Sequence, residues 1–217
     1  MIKLSKPSKM PCPSWSLQAI DTCPGSRKAN GQLVDACEGC YATDGNYRFS
    51  NVKAPRIHNK QDWKRAGFVS DMVSELDNHR FFRWFDSGDV YHPKLALKIL
   101  EIMRLTPWCS HWMPTRMHKF PKFRKIFNRM NRLENVVVRF SSDSISGGTV
   151  RGKNTSTIVQ YAQDSNKGAV LCEAYARDGK CGSCRACWDK DIPLIAYPAH
   201  GRKMAKQYKL IQLKNVA

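Results

Sequence analysis

The chain has 217 residues, and its 42% hydrophobic and 10% aromatic content is enough for one sizeable buried core. No stretch approaches the apolar length of a membrane span, and no apolar signal region precedes the first cysteine. We therefore expect a cytoplasmic protein without a membrane partner. Lysine and arginine number 36 against 18 acidic residues, and the net charge of +18 favours nucleic acid or another polyanion as a partner. An ordinary solvated basic surface is the alternative.

Helices and strands are predicted to alternate along the middle of the chain, as judged from apolar spacing. In chain order the predicted elements are a strand at 15–20, a helix at 60–78, a strand at 81–85, a helix at 93–105, a strand at 109–113, a basic helix at 119–132, and strands at 135–140 and 193–197. In the basic helix Phe123, Phe127 and Met130 share one face, which leaves the lysines and arginines outward and available to phosphates. A long loop is predicted over 141–154.

The spacing of the middle strands predicts the fold class. The strands near 81, 109 and 136 lie about 28 residues apart, a length that suits one strand, one helix and their loops. Repeated units of this kind build a parallel sheet covered by helices. We therefore expect a single α/β domain over 1–217 whose sheet is an open or incomplete parallel (β/α) barrel. Its parts are an N-terminal cysteine segment at 12–40, β/α units at 60–145 and a distal cysteine segment at 172–187.

Polar residues follow the predicted strands at the points where each strand ends. Ligands bind at the carboxyl ends of the strands in parallel α/β folds, so these residues should meet at one mouth. They are Asp86, Ser87, Gly88 and Asp89 after one strand, Thr115 and Arg116 after another, Ser142 and Asp143 after a third, and His200 after the last. The turn at 86–89 also has a structural interpretation, since such a turn often caps the next helix.

Eight of the nine cysteines form two groups at opposite ends of the chain. The first group is Cys12, Cys23, Cys37 and Cys40, and the distal group, spaced C-x8-C-x2-C-x2-C, is Cys172, Cys181, Cys184 and Cys187. A two-residue gap lets both sulfurs of a pair face one metal, and the C-x2-C-x2-C run is typical of iron–sulfur proteins. Disulfides are disfavoured in a reducing compartment. The sequence therefore predicts at least one metal or iron–sulfur site.

The two groups differ in how many ligands they offer. Four distal thiolates would close a coordination sphere, and a [4Fe–4S] cluster or a zinc ion fits them. In the first group three thiolates would leave a cubane with one open iron, whereas adding Cys12 would indicate structural zinc. Cys109 and His200 are weak catalytic candidates, and a buried free thiol is the commoner role for the former.

Three motifs resemble a known family. C-E-G-C-Y-A at 37–42, W-F-D-S-G-D at 84–89 and C-x2-C-x2-C-W at 181–188 are similar to the cysteine-rich phage proteins of the gene product 88 family. A first strand followed by clustered cysteines, a helix and a second strand ending in a Gly-acid turn resembles the radical S-adenosylmethionine (SAM) enzymes. The spacing differs from their usual C-x3-C-x2-C, because thirteen residues separate Cys23 from Cys37. In those enzymes an aromatic residue usually precedes the last cysteine. Here Gly39 precedes Cys40, and the aromatic residue Tyr41 follows that cysteine instead.

The resemblance implies an incomplete barrel of radical SAM type. It implies a [4Fe–4S] cluster on Cys23, Cys37 and Cys40 with SAM on the open iron, and a host electron donor. It further implies that the turn at 87–89 replaces the Gly-Gly-Glu turn that holds the methionine amine. The predicted SAM-site residues are Tyr41, Ser87, Gly88, Asp89, Arg116, Ser142 and Asp143.

Two functions follow from these patterns. The first is an iron–sulfur, SAM-dependent phage enzyme in the host cytoplasm that acts on nucleic acid or a nucleotide-derived substrate. The alternative is a non-enzymatic nucleic-acid-binding protein in which two four-cysteine zinc sites hold the fold together. The number of cysteines in the first group separates them, since three favour the enzyme and four favour the zinc protein.

Overall fold

In the part of the chain that the structure describes, all strands lie in one seven-stranded sheet, and every neighbouring pair is parallel. The computed structural model describes residues 1–166 and 168–216, with side chains as far as residue 210. The strands are β1 (Ser14–Trp15), β2 (Phe81–Trp84), β3 (Ser110–Thr115), β4 (Val136–Ser141), β5 (Thr155–Val159), β6 (Val170–Leu171) and β7 (Leu194–Pro198). Their order is β1-β2-β3-β4-β5-β7-β6, and the sheet is not closed. The predicted α/β fold with a parallel sheet is confirmed.

The α-helices are concentrated before β4, and one more follows β7. They are α1 (Asp35–Glu38), α2 (Ser50–Asp62), α3 (Phe68–Glu75), α4 (Pro93–Leu105), α5 (Pro121–Met130) and α6 (Arg202–Val216). In α4, Pro93 occupies the first turn and the His92 ring accepts a hydrogen bond from the backbone of Lys94, so that both residues favour a helix start here. Irregular chain and short 3-10 turns, rather than α-helices, join the strands from β4 to β7.

The predicted helix at 60–78 was wrong in its bounds. The structure has α2, which begins ten residues earlier at Ser50, and a separate α3 beginning at Phe68. The chain between them is held in a turn by Arg65, whose guanidinium bonds both Asp62 and Asp71. The predicted strand at 15–20 is also shorter, because β1 ends at Trp15 and Ile20 adopts a left-handed backbone with φ 67°. Strands β5 and β6 and helix α6 had not been predicted.

Side chains alternate across the sheet and separate its two faces. On β2, Phe82 and Trp84 enter the main core, where they pack with apolar residues of α3, α4 and α5. On the same strand Phe81 and Arg83 point to the opposite face. The exposed basic side chains of α5 flank its buried apolar stripe as predicted.

The distal cysteine segment packs on the face of the sheet opposite the helices. Its Trp188 ring lies against Phe81 and Trp112, and its indole nitrogen donates to the carbonyl of Phe82 at 2.9 Å. The fully buried guanidinium of Arg139, on β4, donates to four backbone carbonyls of residues 186–192 at 2.7 to 3.1 Å. These contacts fix the segment against the strands.

Candidate functional site

A cavity of about 780 Å³ lies at the carboxyl ends of the strands. The predicted strand-end residues that line it are Asp86, Ser87, Gly88, Asp89, Thr115, Arg116, Ser142 and His200. Cysteines of both groups line the same cavity, namely Cys23, Cys37, Cys40, Cys172, Cys181 and Cys187. Residues more than 170 positions apart in the chain, such as Cys23 and His200, therefore line one cavity, as expected where parallel strands end at a common edge.

Two cysteines of the first group, Cys23 and Cys37, are held at the ends of β3 and β4. Cys37 lies in α1, where the backbone amide of Ala36 donates to the carbonyl of Asp143 at 3.0 Å. Cys23 precedes a short helical turn whose Gly25 approaches the end of β3 closely. A Cβ atom on Gly25 would lie 2.6 Å from the carbonyl oxygen of Arg116, so only glycine allows this approach.

Burial controls the protonation of these thiols. It raises the pKa of Cys23, Cys37 and Cys40, while the nearby Arg116 guanidinium partly lowers the pKa of Cys37 and Cys40. The thiols therefore stay protonated at neutral pH when no metal is bound. Because a metal binds the thiolate, loading this site would release protons and become more favourable as the pH rises.

The turn at 86–89 is bound on all sides by side chains. Asp86 is buried and forms an ion pair with Arg56. Both carboxylate oxygens accept a hydrogen bond from Nη2 of Arg56, at 2.9 and 3.0 Å. The Ser87 hydroxyl accepts a hydrogen bond from Arg56 and donates one to the carbonyl of Leu17. Gly88 has φ +75°, and a Cβ atom there would lie 2.7 Å from Leu17, so the position requires glycine.

Asp89 joins the end of β2 to the end of β3. Its carboxylate accepts hydrogen bonds from the Val90 amide at 2.7 Å, the Thr115 hydroxyl at 2.7 Å and the Arg116 amide at 2.9 Å. Burial raises the pKa of Asp89, and these three donors partly offset that effect. A carboxylate has about four acceptor positions, so one remains for a ligand in the cavity.

The other predicted SAM-site residues lie at different depths. Arg116 donates to the carbonyl of Ser142 at 2.7 Å, and both residues line the cavity. Asp143 instead lies beside two cations, 2.5 Å from Lys119 and 3.4 Å from Arg116, and it does not line the cavity. Tyr41 donates its hydroxyl hydrogen to the carbonyl of Asp86 at 2.6 Å.

His200 lines the cavity and packs against two tyrosine rings. It lies between Tyr41 and Tyr175, with ring centroids 5.6 and 4.5 Å away. Burial lowers the pKa of His200, so the ring is neutral at pH 7. It is therefore placed for contact with a bound molecule and shows no acidic partner that would activate it within the described residues.

Cys12 lies with the distal group and not with the first. It packs in a small cluster with Trp112 and Trp188, against which Cys181 and Cys187 also pack. Burial raises the pKa of Cys12 to about 12, and the charge of Arg83 partly opposes this rise. The first group therefore contains three cysteines, and Cys12 adds a fifth thiol to the distal group. Cys184 does not line the cavity.

Cys109 lies at the end of the sheet opposite to the cavity. It precedes β3 at the opposite, amino end and is fully buried in the main core. It does not line the cavity, and burial raises its pKa to about 12. A catalytic role therefore finds no support in its position, and the alternative of a buried structural thiol matches it.

In the described part of the chain, neither cysteine group is gathered around the position of a single metal ion. Within the described residues, no three histidine, cysteine, aspartate or glutamate side chains converge as ligands of one ion would. Thiolates on one tetrahedral ion have bonds of about 2.3 Å and so lie within about 4 Å of each other. Thiolates of a cubane bind different irons and stand further apart. The iron–sulfur prediction therefore stays a prediction, carried by the donor set and its place in the cavity.

Three arginines had not been predicted, of which Arg56 and Arg139 are buried and Arg83 is half-buried. Arg83 and Arg139 lie within the strands F-F-R-W and V-V-V-R-F-S, and Arg56 lies on α2. A lone arginine inside an apolar strand was the available signal, because an internal strand seldom buries a charge without a specific partner. Arg56 carries no comparable signal in the sequence.

The comparisons with known proteins agree with the motif resemblance. A family model described as Gene product 88 matches residues 2–190, a span that contains both cysteine groups and strands β1 to β6. The comparison with curated proteins gave no match, and the comparison with solved structures gave none either. A helix able to cross a membrane does not occur among the described residues. Because the family model matches most of the chain, this protein belongs to the Gene product 88 family, a phage gene product family.

Proposed function

We propose that this protein is an iron–sulfur, SAM-dependent enzyme of the radical SAM-like type. The observation that carries the proposal is the ligand count of the first cysteine group. Cys12 packs with the distal cysteines, so the first group keeps three thiols, which line the cavity at the mouth of the parallel sheet. Three thiolates leave one iron of a [4Fe–4S] cluster open to a small molecule, whereas a structural zinc site would need a fourth protein ligand.

The chain's own residues have distinct roles in this proposal. Cys23, Cys37 and Cys40 would hold the cluster, which when bound supplies one-electron reduction of SAM. The open acceptor position of Asp89 would take the ammonium group of SAM, in a pocket where burial strengthens the pairing. Ser142 and the Tyr41 ring line the same cavity and would contact the ribose and base.

The distal group would hold a second centre, either a [4Fe–4S] cluster or zinc. Its segment is anchored to the sheet by Trp188 and Arg139, so a metal there would also stabilise the fold. The net charge of +18 supports nucleic acid or a nucleotide-derived substrate as the partner. We place this activity in the host cytoplasm, with a host protein as the electron donor.

Metal analysis of anaerobically purified protein tests the proposal. We expect bound iron and sulfide, a brown protein with absorption at about 400 nm, and 5′-deoxyadenosine after dithionite and SAM are added. Single alanine variants of Cys23, Cys37 and Cys40 should each lose about half the iron if both centres are cubanes. Cys109→Ala is the matched control, because this thiol is buried in the core away from the cavity. A colourless wild-type protein with stoichiometric zinc would refute the proposal and favour the nucleic-acid-binding alternative.

A further inference from the structure

Arg83 projects from the middle of the sheet into the cavity. In the β2–β3 register it is paired with Trp112, and its guanidinium lies over that ring, 4.5 Å from the centroid. Both side chains line the cavity, on the face opposite the helices. Stacking on an aromatic ring holds the planar guanidinium in one orientation without using its hydrogen-bond donors.

Arg83 uses only part of its set of donors. A guanidinium has five N–H donors. In Arg83 one of them reaches the sulfur of Met10 at 3.5 Å, which is a weak acceptor, and the Tyr41 hydroxyl lies close enough to accept another. The Nε hydrogen is buried without a partner among the described residues. The carboxylate whose charge acts on Arg83 is that of Asp86, and Arg56 already binds both of its oxygens.

Two buried arginines show how this protein satisfies such groups elsewhere. Arg56 donates to Asp86, Ser87 and a backbone carbonyl of its own helix. Arg139 donates to four backbone carbonyls of the distal segment. A cation that has lost part of its hydration without gaining partners is costly. A fold that pairs these two arginines fully and leaves the half-buried Arg83 with open donors at a cavity therefore has a site for an anion.

We infer that Arg83 binds an anionic group of the substrate, a carboxylate or a phosphate, inside the cavity. The forked donors of a guanidinium match the two oxygens of either group. The site lies toward the distal cysteines, since Arg83 contacts Met10 and Trp112, and both belong to the cluster against which Cys181 and Cys187 pack. The inference rests on the proposed function only in taking this cavity as the substrate site.

Calorimetric titration of the purified protein with inorganic phosphate, and separately with acetate, tests the inference at constant ionic strength. We expect one saturable site. Arg83→Met keeps much of the side-chain volume and removes the charge, so it should weaken that binding at least about tenfold. Arg83→Lys keeps the positive charge but lacks the forked donors of a guanidinium, so this variant should retain part of the anion binding. Arg80→Met is the matched control, because Arg80 is exposed just before β2, and it should bind as the wild type does.

Each outcome of these titrations either supports or overturns anion binding by Arg83. Saturable binding of phosphate or of acetate that Arg83→Met weakens supports the inference and identifies the class of anion. Wild-type protein that binds neither probe at a single site overturns it, as does binding that survives in both Arg83 variants. If Arg83→Met loses distal metal while the wild type binds neither anion, the guanidinium balances the thiolates instead. The titration needs no added SAM, so failure of the SAM proposal would leave this result readable.

Discussion

Replacing Asp89 by asparagine separates the two roles that the structure gives this residue. The carboxylate accepts three hydrogen bonds, two of which join the end of β2 to the end of β3, and Asp89 also lines the cavity with one acceptor position unused. Asparagine has nearly the same shape, but one of its two terminal atoms is an NH₂ donor. Whichever way the amide is turned, that group meets the Arg116 amide on one side or the Val90 amide on the other.

The size of both effects follows from these contacts. One buried donor facing another leaves hydrogen bonds unmade, which costs about 2 kcal/mol of unfolding free energy. For a protein of this size that corresponds to a fall of about 4–8 °C in Tm. Losing the charge opposite the SAM ammonium costs on the order of 2 kcal/mol of binding free energy, so the affinity for SAM should fall about thirtyfold.

Thr115→Val provides the control that distinguishes the two roles. Thr115 donates one of the three hydrogen bonds to Asp89 and accepts one from the Met117 amide, so the variant should also lose about 1–2 kcal/mol of stability. It leaves the Asp89 charge in place. Urea unfolding and SAM titration of cluster-replete protein should therefore show both variants destabilised and only Asp89→Asn strongly weakened in SAM binding.

Two other patterns of SAM affinity would contradict this assignment of roles. Equal weakening of SAM binding in both variants would mean that Asp89 acts through the fold alone. Unchanged affinity in Asp89→Asn would place the SAM amine elsewhere in the cavity.

Three further predictions test other parts of the molecule. Cys12→Ala should lower the distal metal content and leave the first centre loaded, while Cys109→Ala should change neither; metal analysis that finds Cys12→Ala fully loaded would contradict the assignment. Arg139→Met should lose about 3 kcal/mol in urea unfolding, because four carbonyls lose a charged donor, and a change below about 0.5 kcal/mol would show that the distal segment is held otherwise. Burial lowers the pKa of His111 to about 3, whereas an unfolded histidine binds a proton below about pH 6.5, so stability should fall by about 2 kcal/mol from pH 7 to pH 5. His111→Gln should show a smaller fall, and an identical pH profile would argue that other groups dominate.

The sequence alone determined the middle of the fold. Apolar spacing predicted β2, β3, β4 and α4 in nearly their observed bounds, because each buries one face against the same core and so carries a local period. The placement of Ser87, Asp89, Arg116 and Ser142 at strand ends followed from the same pattern together with the geometry of parallel sheets. The two-residue cysteine spacings likewise indicated metal chemistry from local sequence.

Only the tertiary structure decided how distant segments meet. Nothing local to Cys12 indicates that it packs with Cys181 and Cys187, since that contact depends on how the distal segment lies on the sheet. The order β5-β7-β6 and the brevity of β1 and β6 were equally hidden, because strands of two residues carry no period. Arg83 and Arg139 occupy similar apolar strands, yet one is saturated and the other open. That difference arises from which backbone carbonyls and side chains the fold brings within hydrogen-bonding distance, and neighbouring residues in the sequence do not specify it.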